Sequence, residues 1–212
     1  MAVMAIDTAG PEIGVALLAN GTVKEWSGRV KRGSESALGK AVAELLEGGS
    51  LLEGIVVSVG PGAFTSLRVG VATASGLALA SNCQVLPVCS LRARALGRPG
   101  RVLSLLDGRK NRAYAALFED GVPVGEAVDW EPERAIALAK GASFLAVGEG
   151  ALVWRERVLQ AGGQVAVEAS RSPVAEMTAL FERHPDEVVP PEGIRLRYLR
   201  APDAQLPKDA PS

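Results

Sequence analysis

The sequence has a single histidine, His184, and two cysteines, Cys83 and Cys89. One histidine offers no pairing with Ser or Cys for nucleophilic catalysis, and no acid-rich cluster accompanies it to make a His/Asp/Glu metal site. Five residues separate the two cysteines, a spacing that fits neither a zinc ligand pattern nor a redox pair, so they read as free buried thiols. No Gly-x-Ser-x-Gly nucleophile turn occurs. Aromatic residues are only 4% of the chain. Its core must therefore be packed with backbone close to backbone rather than filled with rings. Neither sign of charge is in surplus, with 23 basic and 24 acidic residues, so no bulk positive charge draws the chain to nucleic acid. A local cluster of Arg92, Arg94, Arg98 and Arg101 reads as a solvated helix end and loop. No long apolar run spans a membrane, since the stretch at 77–80 is short and broken by glycine. Residues 1–7 enter a strand pattern directly, without a charged leader and cleavage site. A cytoplasmic chain without membrane association is expected.

What is present is a repeated plan. Apolar runs at 3–6 and 14–18 lead to Asn20-Gly21, a two-residue hairpin signal, and a third strand at 22–26. Ser34 can cap a helix through Leu46 that Gly48-Gly49 stops. A β-branched run at 55–59 reads as a strand buried on both faces. Gly60-Pro61-Gly62 follows, then a helix over 65–80, a strand at 85–88 and a short helix from Ser90. The second half rhymes with the first. Asp7 and Asp107 each close a strand, Ala16-Leu17-Leu18 matches Ala116-Leu117-Phe118, and Asn20-Gly21 matches Asp120-Gly121. All of these are offset by one hundred positions. Val59-Gly60-Pro61-Gly62-Ala63 is echoed by Val147-Gly148-Glu149-Gly150-Ala151. Strands at 102–106, 113–119, 144–147 and 165–167 and helices at 133–140 and 149–160 complete the second half. Ser172 caps a helix opened by Pro173 and ending near His184, and a Pro- and Arg-rich tail packs on the surface. Echoes in one order point to duplication. The predicted fold is α/β, a duplicated ribonuclease H-like, actin-like two-lobed fold. Residues 1–98 form the N-terminal lobe, and 99–212 form a smaller C-terminal lobe with the tail.

The string GPGAFTSLRVG, residues 60–70, turns a buried strand into a helix. Gly60 and Gly62 allow backbone that side chains disfavour, Pro61 fixes its own φ, and Thr65 or Ser66 can cap the helix. Two readings stand side by side. The glycines serve a tight packing turn, or the helix-start amides bind a phosphate. In the second reading Asp7, Thr8, Gly60 and Gly62 are the nucleotide-binding residues. It lacks the Lys-Ser/Thr pair of a Walker loop and Gly-Asp-Gly phosphate loops. Two strand-end acids are able to hold hydrated Mg²⁺, or simply to cap turns. From 65 to 80 the only charge is Arg68. Gly70, Ala74 and Ala78 form one row of small residues, and Ala72, Gly76 and Ala80 form another. Small rows let helices approach closely. The row is covered by the chain itself or by a partner.

GPGAFTSLRVG, with AIDTA before it and GLALA after it, resembles the TsaB (YeaZ) family pattern GPGSFTGLRIG, departing mildly at Ala63, Ser66 and Val69. The similarity extends to Asp7-Thr8, Asp107-Gly108-Arg109 before Tyr114, the turn at 147–151, Ser172-Pro173 and Tyr198-Leu199-Arg200. The resemblance implies the actin-like fold and a part in placing threonylcarbamoyl on adenosine 37 of tRNAs that read ANN codons. It implies a non-catalytic scaffold paralogous to the catalytic subunit TsaD. The metal-binding His-x-x-x-His of TsaD falls here on Ser90 and Arg94, so those ligands are absent. The implied partners are a TsaD-like subunit, a TsaE-like ATPase, a second copy of the chain when alone, and tRNA indirectly through the complex. The chain is expected to carry no cofactor or metal of its own, with ATP placed at a partner interface. Leu38, Val42, Leu45, Phe64, Leu67, Arg68, Gly70, Val71 and Ala74 are the expected partner-contact residues, and a bulky residue at Gly70 or Ala74 is expected to break pairing without unfolding the monomer. Two other readings compete. One is an independent actin-like ATPase or phosphotransferase built on Asp7, Asp107 and the glycine turns. The other is a protease, against which the lone histidine argues.

Overall fold

The computed structural model describes residues 1–30, 33–47, 49 and 51–200. Gly48, half of the expected helix stop, and the end of the tail at 201–212 lie outside the described residues.

The first lobe is built from β1 (Ala2–Asp7), β2 (Glu12–Ala19), β3 (Thr22–Arg29), α1 (Ser34–Leu46), β4 (Gly54–Ser58), α2 (Phe64–Ser81) and β5 (Gln84–Val88). Its five-stranded sheet has the order β3-β2-β1-β4-β5. β1 pairs antiparallel with β2 and parallel with β4. A short helix, α3 (Ser90–Ala95), leads to the second lobe: β6 (Arg101–Asp107), β7 (Ala113–Glu119), β8 (Val122–Trp130), α4 (Pro132–Ile136), β9 (Phe144–Val147), α5 (Glu149–Val153), α6 (Arg155–Gln160) and β10 (Gly163–Val165). The order of its sheet is β10-β9-β6-β7-β8. Written from the other end, this is the first sheet's topology, so the duplication read from the sequence is a duplication of the fold. The hairpin turns match as well. Asn20 and Gly21 have φ of 52° and 75°, Asp120 and Gly121 of 47° and 81°. These are the left-handed pairs that a two-residue hairpin needs.

β1 and β4 are buried along their whole length, as apolar strands covered on both faces must be. One face packs on α1 and α2 through Met4, Ile6, Leu38, Ile55 and Ala74. The other face packs on α7 (Val174–Thr178) and α8 (Leu180–Arg183), with Val3, Ala5 and Val56 meeting Val174, Met177 and Leu180. The chain therefore returns to the first lobe after completing the second.

Several local expectations are corrected. β8 carries no strong alternating pattern; it is recruited as the edge partner of β7, with a bulge between Ala115 and Leu117. The helix expected over 149–160 breaks at Trp154, whose ring packs against Gly150. The last strand lies at 163–165 rather than 165–167. Ser172 does not cap a helix; its hydroxyl donates to Asp7 instead, and the helix expected up to His184 is the two short helices α7 and α8. Neither Ser34, Thr65 nor Ser66 caps: Gly33 and Ala63 hold the N-cap positions, without a side-chain cap bond. The two thiols are half-buried.

Candidate functional site

The glycine string is a packing junction. Gly60 has φ of 110°, and a Cβ there would run into the carbonyl of Arg197. A Cβ on Gly62 would meet the backbone of Ala9, whose carbonyl accepts from the Ala63 amide at 3.1 Å. A Cβ on Gly70 would collide with the Thr8 hydroxyl. Three glycines thus let the β1–β2 turn, α2 and the tail come together with backbone nearly touching. Ser90 fixes the same junction: Gly60 N–H donates to Ser90 Oγ at 3.1 Å, and the Ser90 amide donates to Gly60 O at 2.8 Å.

This geometry sorts the expected partner-contact residues. Leu38, Val42, Leu67, Gly70 and Ala74 are buried inside the first lobe. Leu45, Phe64 and Val71 are half-buried, and Arg68 is exposed. The row Gly70, Ala74, Ala78 faces the sheet, whereas Ala72, Gly76 and Ala80 face outward with Leu79, which is 68% exposed. The expectation that a bulky residue at Gly70 or Ala74 spares the monomer is therefore reversed, because either side chain would have to enter the core. On α1, which packs beside α2, Gly39 and Ala43 are exposed. The period of α2 placed both rows correctly along the helix; which row faced out depended on the position of the sheet.

A cleft of about 850 Å³ opens between the lobes, within the size of a small-molecule site. Gly62, Ala63, Phe64 and Ser66 from the start of α2 line it from the first lobe, Asp107, Arg109 and Tyr114 from the second, and Tyr198 and Arg200 from the tail. Behind its lining, next to Gly10, lie buried charges that the sequence reading left apart. Asp7 and Arg94 are both buried, with side chains 0% and 2% exposed, and Arg94 Nη1 lies 2.8 Å from Asp7 Oδ2. They are an ion pair by distance, although the N–H does not point along a hydrogen-bond direction. Asp7 Oδ1 accepts from the Ala9 amide at 3.2 Å, and Oδ2 accepts from Ser172 Oγ at 3.0 Å. Arg94 is thus no solvated helix end. Of its neighbours in sequence, Arg92 reaches Glu187 and His184, and Arg101 reaches Glu119.

Glu149 is the missed member of the group. It is buried at the start of α5 and lines the cleft. Its carboxylate and the Arg94 guanidinium approach Gly10 from the second lobe and from α3. Burial pushes the Glu149 carboxyl above its ordinary value, against the opposing pull of Arg94 and of backbone amide bonds at Glu149 and Asp107, while Asp7 adds to the rise. The echo of Gly60-Pro61-Gly62 in Gly148-Glu149-Gly150 was the signal that marked this turn. Burial of an acid there was not written in it.

The residues read as nucleotide-binding fit a magnesium–nucleotide in this cleft poorly. Both oxygens of Asp7 are engaged within the protein, Thr8 is buried against Gly70, and a second carboxyl faces the cleft. Of Asp7, Thr8, Gly60 and Gly62, only Gly62 reaches the cleft wall. No group of three or more metal-ligating side chains occurs among the described residues. Nor is any described helix long and apolar enough to cross a membrane.

Comparison with known proteins agrees with this architecture. Residues 29–178 match the family profile of TsaD, tRNA N6-adenosine threonylcarbamoyltransferase. A Mycobacterium tuberculosis protein of uncharacterized function is 32% identical over 87% of this chain and 92% of its own length. The tRNA threonylcarbamoyladenosine biosynthesis protein TsaB of Bacillus subtilis is 33% identical over 56% of each chain. YeaZ from Pseudomonas aeruginosa superposes with a TM-score of 0.79 at 26% identity, covering 93% of this chain and 99% of that one. With a duplicated actin-like fold, the glycine junction at 60–70 and these relatives, the chain belongs to the TsaB (YeaZ) family, within the broader TsaD family.

Proposed function

We propose that this chain is a scaffold subunit in the synthesis of N6-threonylcarbamoyladenosine at position 37 of tRNA, pairing with a TsaD-like catalytic paralogue. The observation that carries this reading is the outward face of α2. Ala72, Gly76 and Ala80 leave a smooth track on an 18-residue helix, flanked by exposed Leu79 and by Gly39 and Ala43 of α1. A helix face of small residues admits a second helix at close range, where dispersion contacts are densest. Arg68 at one end supplies a charge to orient the partner. In the absence of that partner the same face pairs with a second copy of the chain. A TsaE-like ATPase joins the assembly, tRNA is met through the complex, and ATP is held at a partner interface rather than on Asp7 and Thr8.

The engagement of Asp7 disfavours the alternative of an independent ATPase or phosphotransferase. Calorimetry with ATP and Mg²⁺ separates the two: tight binding by the isolated chain supports the enzyme. The direct test of the scaffold is reconstitution. Added to a TsaD-like subunit, a TsaE-like ATPase and a threonylcarbamoyl-adenylate source, the chain is expected to restore transfer to tRNA. Equal transfer without it contradicts the proposal.

A further inference from the structure

The last described residues tie the two lobes together beside the cleft, which Tyr198 and Arg200 line. Ile194 is buried in the core of the first lobe, and Leu199 packs against the core of the second. Between them, the Arg197 amide donates to Val59 O at 2.7 Å, immediately before the glycine junction. Beyond them, Arg200 Nη2 donates to Gly108 O at 2.8 Å, in the β6–β7 turn. The Tyr198 ring lies 5.2 Å from the Phe64 ring, at the first residue of α2. The Arg68 guanidinium also packs over the Phe64 ring, 3.8 Å from its centroid. Arg68 is exposed on α2, whose outward side is the proposed docking face.

We propose that residues 194–200 are a strap that couples docking on α2 to the opening of the inter-lobe cleft, through the stack Arg68–Phe64–Tyr198. The inference rests on the docking reading above and adds a regulatory link to it. A partner that draws Arg68 into its own contacts removes the cation from Phe64 and loosens the ring pair beneath it. Only Leu199 separates Tyr198 from Arg200. Slack at the ring pair is therefore passed to the Gly108 anchor instead of being absorbed by intervening chain. Tyr198 and Arg200 both line the cleft, so release of the strap widens it.

Amide hydrogen exchange on the full chain, followed by NMR, tests the link. The reporters are the Arg197 amide, which donates to Val59 O, and the Gly108 amide, which donates to Arg112 O. In the free chain, Arg68→Ala is expected to speed exchange at both by roughly two- to fivefold, the range of an exposed cation–π contact. Tyr198→Ala is expected to speed it by about two- to tenfold. Amides of β1 and β4 stay unchanged in both variants, which shows that the fold is intact. Adding the TsaD-like subunit to the unmodified chain is expected to give the same acceleration at the reporters, and to add none in Tyr198→Ala. Unchanged reporters in both variants overturn the strap. So does a partner that binds the unmodified chain and leaves Arg197 and Gly108 as they were. A partner that fails to bind at all sinks the docking reading and takes the partner-driven half of this proposal with it, a result distinct from silent reporters in a formed complex.

Discussion

Asp7 and Asp107 occupy matching places at the ends of β1 and β6, and each accepts a hydrogen bond on Oδ1 from the amide two residues on, from Ala9 and from Arg109. There the likeness stops. Asp7 is buried and faces the buried Arg94, while Asp107 meets Arg109 at the surface, at 3.2 Å. The helices diverge in the same way. The first lobe lays 13-residue α1 and 18-residue α2 on its sheet. In the second lobe the matching helix α4 is five residues long, and the run after the glycine turn is broken at Trp154 into α5 and α6, of five and six residues. One sheet plan thus supports two outcomes: a lobe with a long, smooth helix face, and a lobe that closes a cleft and anchors the strap. The difference lies in the side chains laid on the sheets, not in their topology.

The contrast between the two acids is open to measurement, and it gives the largest expected effect. Arg94→Ala leaves the buried Asp7 carboxyl without its ion-pair partner, so chemical denaturation is expected to show a loss of about 3–5 kcal/mol. Arg109→Ala removes an exposed partner from Asp107 and is expected to cost no more than about 1 kcal/mol. Equal losses from the two variants would mean that the lobes treat their acids alike.

The two rows of α2 come next. Gly70→Ala pushes a methyl against Thr8 and is expected to lower stability by about 1–3 kcal/mol. Gly76→Ala faces open space and is expected to raise stability by up to about 1 kcal/mol, through helix propensity. Urea midpoints of the two variants relative to the unmodified chain check the signs.

A pH effect sharpens the comparison further. The folded-state carboxyl of Glu149 titrates above its ordinary value near 4.5. The unfolded chain therefore loses that proton first, so stability from this residue is fully present below that value and falls as pH rises through the raised one. Glu149→Gln removes the dependence. The stability of the unmodified chain relative to Glu149→Gln is expected to decline from pH 4.5 upward. A flat difference would mean that Arg94 and the backbone amides fully offset the burial of Glu149, contrary to the raised value.

Much of the fold was legible because the signals were local or periodic. The one-hundred-residue offset of the two hairpins is two copies of one left-handed turn, and the β-branched run at 55–59 had to be a covered strand. The glycine string was legible as a junction, but its partners were not: Ala9, Thr8 and Arg197 are distant in sequence, and only the folded chain brings them to Gly62, Gly70 and Gly60. Five of the expected docking residues, Leu38, Val42, Leu67, Gly70 and Ala74, are buried for the same reason. Helical period put Gly70 and Ala74 on one stripe, and the sheet then claimed that stripe for itself. Arg94 and Glu149 were hidden because a charged residue in a short helix or a turn reads as solvated, until burial by two lobes says otherwise. Break of the run at Trp154 and recruitment of β8 were likewise decided by packing rather than by propensity.

The central claim is that the outward row of α2 is the docking face. Ala72→Arg places a bulky charge on that row without entering the core, since Ala72 is exposed. Size-exclusion chromatography with light scattering, using the TsaD-like subunit, tests it against the unmodified chain. The account predicts a stable complex for the unmodified chain, and separate elution of Ala72→Arg at an unchanged melting temperature. Co-elution of Ala72→Arg with the affinity of the unmodified chain would contradict it.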